Sequence, residues 1–200
     1  MRMVADSLRL FIAVAPGTEA RDRLRNMIQE LRAAHPQARW VKAEQAHLTL
    51  AFLGDVDVVR MKDIKDAMSV SVQRRSKFRM AFGGAGAFPS WKNPRVIWLG
   101  LAEGGDSLSK LACALRGELE QRRFSLEDRK FHPHLTLCRL GDRTDSDKVR
   151  AMRSDAERLS EPEAWRSVAM RVEEVELLSS RLTPGGPVYD VVHRQKLEAA

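Results

Sequence analysis

The tetrapeptide His-Leu-Thr-Leu stands twice in this chain, at residues 47–50 and 134–137, an offset of 87 positions. The same offset relates the apolar stretch at Leu8 to the one at Arg95, and Leu24 to Leu111. His and Thr are scarce here, so roughly 0.1 His-x-Thr triplets would arise by chance in a chain of this length. Two copies at matching places in a repeated pattern therefore point to an internal duplication, and whatever one half folds into, the other half must fold into as well.

The repeated unit reads as strand, helix, HLTL strand, helix. Leu8 to Val14 predicts a buried strand, and Thr18 the cap of a helix with Leu24, Ile28 and Leu31 on one face, ending before Pro36. The stretch from Trp40 to Leu53 predicts a strand closed by a turn at Gly54 and Asp55, followed by a helix with the stripe Met61, Ile64, Met68, Val72. Phe78, Met80 and Phe82 alternate like a strand that stops in the glycine-rich GGAGAFP, read as a turn. The second half repeats this: a strand over Arg95 to Leu101, a helix from Gly104 to Asp106 carrying Leu108, Leu111, Leu115 and Leu119, a strand over Phe131 to Leu140, and a helix capped by Asp145. Trp165 to Leu178 and Val188 to Val192 complete the strands around a TPGGP turn. The expectation is an α+β fold, a single bilobal domain over residues 1–200, with two pseudosymmetric lobes of antiparallel sheet plus helices about a central cleft.

On a strand, residues i and i+2 share a face. His47 with Thr49, and His134 with Thr136, each present an imidazole and a hydroxyl together, while Leu48, Leu50, Leu135 and Leu137 turn to a core. A pseudo-twofold repeat brings the two pairs across the cleft. Two imidazoles with pKa near neutrality can serve as general base and general acid, and hydroxyls can hold the nonbridging oxygens of a phosphodiester in its pentacoordinate transition state. This chemistry needs neither metal nor cofactor.

Lys plus Arg exceeds Asp plus Glu by 7, and the excess is lopsided: 17 basic and 9 acidic residues in 1–100, against 17 and 18 in 101–200. The field fits a phosphate-bearing partner such as RNA or a nucleotide. No apolar run approaches the ~18 residues a membrane span requires, and Leu8 to Val14 is too alternating for a signal peptide. Two cysteines without CxxC spacing make a reducing cytoplasm the expected compartment.

The segments LRLFIAVAP, WVKAEQAHLTLAFLGDV, GAFPSWKNPRVIWLGL and EDRKFHPHLTLCRL resemble the 2H phosphoesterase superfamily, and within it the RNA 2′,3′-cyclic phosphodiesterases historically called 2′-5′ RNA ligases. The paired HxTx motif is that family's specific mark, and the resemblance covers nearly the whole chain. It implies hydrolysis of a terminal 2′,3′-cyclic phosphate to a 2′-phosphate, with weak 2′-5′ ligation in some members. It implies His47 as general acid on the departing 3′ oxygen, His134 as general base on water, and Thr49 and Thr136 holding the phosphate. It further implies contacts to the terminal base from Phe52 and Arg139, which are again 87 apart. Strict alternation would turn both away from the His face, so this needs a bulge or a strand end.

Alternatives from other classes are a noncatalytic RNA-end or nucleotide binder, and a phosphodiesterase of small cyclic phosphates. His132 and His134 have metal-ligand spacing but no evident third ligand; His132 borders the cleft on this reading, and His35 and His193, with no partner in view, read as structural. Cys138 shares the parity of His134 and Thr136 but lacks an activating base. The expected partner is RNA with a cyclic phosphate end, and the expected state a monomer.

Overall fold

The computed structural model describes residues 7–73, 75–127, 130–141 and 145–198. The first half supplies β1 (Ser7–Val14), α1 (Thr18–Ala34), the two-residue β2 (Arg39–Trp40), β3 (Leu48–Asp57), α2 (Met61–Val72) and β4 (Phe78–Phe88). The second supplies β5 (Val96–Glu103), α3 (Gly105–Gln121), β6 (Leu135–Arg139), α4 (Ser146–Leu159), α5 (Pro162–Arg166), β7 (Met170–Val172), β8 (Glu174–Thr183) and β9 (Gly186–Lys196). The duplication holds in three dimensions: α1 and α3 are both 17 residues long and begin 87 positions apart, as do β3 and β6.

The strands form two antiparallel sheets, β3-β1-β8-β9 and β2-β6-β5-β4-β7. The halves trade strands. β4 leaves the first half to pair with β5, and β8 returns from the second half to pair with β1. The helices cross over in the same way, α1 against α4 and α2 against α3. One continuous core results, with Leu24, Leu31, Leu48, Leu50 and Ile64 joined to Leu111, Leu115, Leu135 and Leu137, all buried. Each is a predicted core-facing position, and truncating any one to Ala would cost about 2–5 kcal/mol. Among the described residues no helix is long and apolar enough to cross a membrane.

Four local expectations are corrected. The cap of α1 is Gly17 in extended conformation with no side-chain cap, so Thr18 is the first helical residue. β3 runs through Gly54, which takes φ +68° at an irregularity where Leu53 has no partner, and ends at Asp57. GGAGAFP is the end of β4 rather than a turn. Gly86 and Gly83 serve close packing, since a Cβ on Gly86 would collide with the Trp98 indole and one on Gly83 would press on Pro162, whereas Gly84 meets nothing and takes φ +74°. Trp165 lies in the short helix α5, fully buried, with its Nε1 donating to the Leu159 carbonyl at 3.0 Å and its ring edge-on to Phe82. Asp145 does cap α4, accepting from the backbone N–H groups of Asp147 and Lys148.

Candidate active site

Each motif His stands immediately before its strand, with the following Leu-Thr-Leu alternating buried, half-buried, buried. The alternation does what period two requires: the leucines enter the core and the threonines face the cleft. The chain then breaks register. In β3, Ala13 pairs with Thr49 and Ile12 with Ala51, so Leu50 is passed over. In β6, Trp98 pairs with Thr136 and Ile97 with Cys138, so Leu137 is passed over. One extra residue resets the parity of the remainder of each strand. Phe52 and Arg139 therefore join Thr49, Thr136 and His134 in the walls of a cleft of about 560 Å³, and Cys138 turns inward. Burial pushes the Cys138 thiol up to about 12, which removes it as a nucleophile.

Both imidazoles are anchored identically. His47 Nδ1 lies 2.8 Å from the Gln45 carbonyl oxygen, and His134 Nδ1 lies 2.7 Å from that of His132. A carbonyl only accepts, so Nδ1 carries the hydrogen in both rings and Nε2 is left to exchange a proton. His47 stands beside the cleft wall, two residues from Thr49, with its ring 4.6 Å from Phe11 and edge-on to Tyr189 at 5.2 Å. His134 is edge-on to Phe88 at 4.9 Å and 6.2 Å from Trp98.

Burial holds the His47 imidazole below its ordinary value against the pull of the Gln45 carbonyl, and the charge of His134 lowers it further. His134 is likewise lowered, first by burial and then by the positive charges of His132 and Arg139, while the His132 carbonyl opposes. In place of the unperturbed imidazoles expected from sequence, the cleft favours two neutral rings. Burial also raises the Tyr189 phenol, so it remains a hydrogen-bond donor.

Sequence reasoning missed the aromatic residues that clamp the two rings. Phe11 and Trp98 are 87 apart, so the duplication offset could have found them; Tyr189, the only tyrosine, carried no signal. His132 does border the cleft, its ring 4.6 Å from Trp98 and 5.4 Å from Phe88. Among the described residues no three His, Cys, Asp or Glu gather as metal ligands. His35, without a partner in the sequence reading, has one in the fold: its Nε2 meets Asp155 at 2.9 Å and ties the end of α1 to α4.

The profile of the LigT-like phosphoesterases matches the chain twice, over residues 14–98 and again over 99–189. The chain belongs to the LigT-like phosphoesterase family. The double match reproduces the duplication read from the two motifs. Among its relatives, the RNA 2′,3′-cyclic phosphodiesterase of Thermotoga maritima is 34% identical over 191 residues, 96% of each chain. That of Methanothermobacter thermautotrophicus is 34% identical over 182 residues, 91% of this chain and 95% of its own. The crystal structure of Escherichia coli LigT complexed with 3′-AMP superposes with a TM-score of 0.73 at 28% identity, covering 96% of this chain and 99% of that one. The expected fold, two duplicated lobes of antiparallel sheet and helices, is thus shared with solved LigT structures.

Proposed function

We propose that this phosphoesterase hydrolyses the terminal 2′,3′-cyclic phosphate of RNA to a 2′-phosphate, with His47, Thr49, His134 and Thr136 as its catalytic groups. The observation that carries this reading is the matched anchoring of the two imidazoles, each presenting a free Nε2 from the same position of a duplicated strand. One Nε2 can accept a proton while the other donates one. His134 begins neutral and takes a proton from water as its oxygen attacks phosphorus. The bond from phosphorus to the 3′ oxygen breaks, and that oxygen takes the proton of the His47 imidazolium. The product has a 2′-phosphate and a free 3′ hydroxyl, and the next cycle requires only that a proton pass from His134 back to His47.

Binding the anionic phosphodiester places negative charge directly beside the two imidazoles. A phosphate beside His47 favours its charged form, opposing burial. The Thr49 and Thr136 hydroxyls donate to the nonbridging oxygens as charge develops there. Phe52 stacks on the terminal base and Arg139 approaches it from the opposite strand, both delivered by their bulges. Arg9 lies over the Phe52 ring at 4.9 Å, which fixes the stacking platform. The naming of the relatives as RNA 2′,3′-cyclic phosphodiesterases, and 3′-AMP bound to E. coli LigT, support a nucleotide in this cleft. The purified chain acts as a monomer on this reading, since both motifs come from one polypeptide.

The test is product analysis after incubation with an oligonucleotide ending in a 2′,3′-cyclic phosphate, in excess EDTA. Formation of a 2′-phosphate is expected. An unchanged cyclic end would leave a nucleotide binder, and activity restored only by zinc or manganese would return His132 and His134 to the role of metal ligands.

A further inference from the structure

A second groove, of about 520 Å³, lies between the outer face of α1 and the segment 36–44 that leads into the first HLTL motif. Its walls include Arg25, Arg32, Arg39, Trp40, Lys42 and Glu44. Arg25 is already neutralised, by Asp22 at 2.5 Å and Glu44 at 2.9 Å. Arg32, Arg39 and Lys42 are exposed, and none of the three makes an ion pair among the described residues. The Trp40 indole is held in place by its N–H, which donates to the His35 carbonyl at 2.9 Å. The groove is therefore a trough of unspent positive charge with one fixed aromatic face.

The groove and the cleft share no wall residue, but the β2–β6 strand pair joins them. β2 pairs with β6, and Arg39 is the direct cross-strand partner of Arg139, which lines the cleft wall. Side chains at paired positions lie on one face about 4.5–5.5 Å apart at Cβ, and like charges placed so are destabilising. No carboxylate among the described residues relieves the pair. An anion crossing from cleft to groove would pass between the two guanidinium groups and relieve it. The duplication sharpens the contrast: the counterparts of Gln29, Trp40 and Ala43 at the 87 offset are Arg116, Glu127 and Lys130, and these open into the cleft itself. Among the described residues, the first half's copy lines a groove distinct from the cleft.

We infer that this groove binds the phosphodiester backbone of the RNA strand on the 5′ side of the terminal nucleotide, through Arg39, Lys42 and Arg32. This rests on the cleft being the seat of an RNA 3′ end. A cyclic phosphate ends its strand, so the rest of the chain must leave the cleft in the 5′ direction, and the Arg139 to Arg39 passage offers phosphate partners in sequence. Recognition is of backbone charge, so it should depend on strand length and salt rather than on base identity.

The test compares wild type with the double variant Arg32→Gln/Lys42→Gln on two substrates, a nucleoside 2′,3′-cyclic monophosphate and an oligonucleotide of about ten residues ending in the same group. The groove predicts equal kinetics of the two proteins on the monophosphate and a KM several-fold higher for the variant on the oligonucleotide. The slope of log affinity against log salt should become shallower by about 1.4, from roughly 0.7 per lost phosphate contact on single strands. Equal oligonucleotide KM and equal salt slopes in the two proteins would overturn the groove while leaving the reaction intact. A wild type inert to both substrates would instead overturn the reaction. In that case the anisotropy of a labelled oligonucleotide with a 3′-phosphate decides the groove, weaker salt-dependent binding by the variant supporting it and equal binding refuting it.

Discussion

Leu50 in β3 and Leu137 in β6 are the same bulge made twice: each is skipped in the pairing of its strand, and the two are 87 residues apart. Each leucine remains buried, so the bulge costs no core contact. What it changes is the face presented by the residue two positions on, Phe52 in one strand and Arg139 in the other. The sequence requires such a bulge if those two are to face the histidines, and the fold provides it symmetrically.

Substitution of the paired residues tests whether two motifs make one site. His47→Ala or His134→Ala should each lower kcat by about 10²- to 10⁴-fold, the range of a lost acid or base. The double variant should be little worse than the more damaging single one, because the groups act as a unit. Thr49→Ala and Thr136→Ala should cost about 1.5–3 kcal/mol of transition-state stabilisation, a hydrogen bond to a charged oxygen. Full activity in either His variant, measured by single-turnover kinetics, would dismantle the paired site.

Phe52→Ala and Arg139→Ala touch the substrate away from the reacting atoms. They should raise KM with little change in kcat, Phe52→Ala by about 1–3 kcal/mol for the lost base stack. A fall in kcat at unchanged KM would move either residue from binding to chemistry.

The 87-residue offset makes much of this legible in the sequence. The core leucines of α1, α3, β3 and β6, the two motifs and the Asp145 cap follow from periodicity and hydrogen-bonding chemistry. The strand exchange does not, because Phe78, Met80 and Phe82 alternate identically whichever neighbour β4 pairs with. Nor does the role of GGAGAFP: glycine signals a turn and a close approach equally, and only the position of the Trp98 ring across the strand pair decides between them. The aromatic clamp on His47 is hidden for a similar reason, since Tyr189 reaches it through β9, two strands away from β1 and distant in sequence.

That close approach gives a prediction of its own. Gly86→Ala places a methyl group in the Trp98 ring, and neither the strand backbone nor the indole can yield without repacking. Overpacking of this kind costs about 1–3 kcal/mol, which corresponds to a Tm lowered by roughly 2–12 °C in a chain of this size. Phe88 and Trp98, tilted against each other with centroids 5.3 Å apart, also frame His134, so kcat should fall as well. A variant with wild-type Tm would show that the ring moves freely, and that the glycine is not needed for packing.

The pH dependence comes from burial. In kcat/KM, which reports the free protein, the acid limb is protonation of His134 and the alkaline limb is loss of the His47 proton. Both imidazoles are held below the ordinary 6.5, so the bell should centre below 6.5. Phosphate bound beside His47 raises its pKa, so the alkaline limb of kcat should lie at higher pH than that of kcat/KM. A kcat/KM profile centred above about 7.5, from initial rates across pH, would contradict the burial of the two rings.

The division of labour between the histidines is tested by the leaving oxygen. If His47 protonates the departing 3′ oxygen, a substrate whose leaving oxygen is much less basic no longer needs that proton, and His47→Ala should recover most of its lost rate on it. His134→Ala should stay impaired, because attack by water still requires a base. The two rings are anchored alike, so their geometry permits either assignment. Burial and a neighbouring positive charge lower both rings, so their environments too permit either assignment, and the rescue pattern decides it. Preferential rescue of His134→Ala, together with a 3′-phosphate product, would reverse the roles and place the attacking water on the His47 side of the phosphorus.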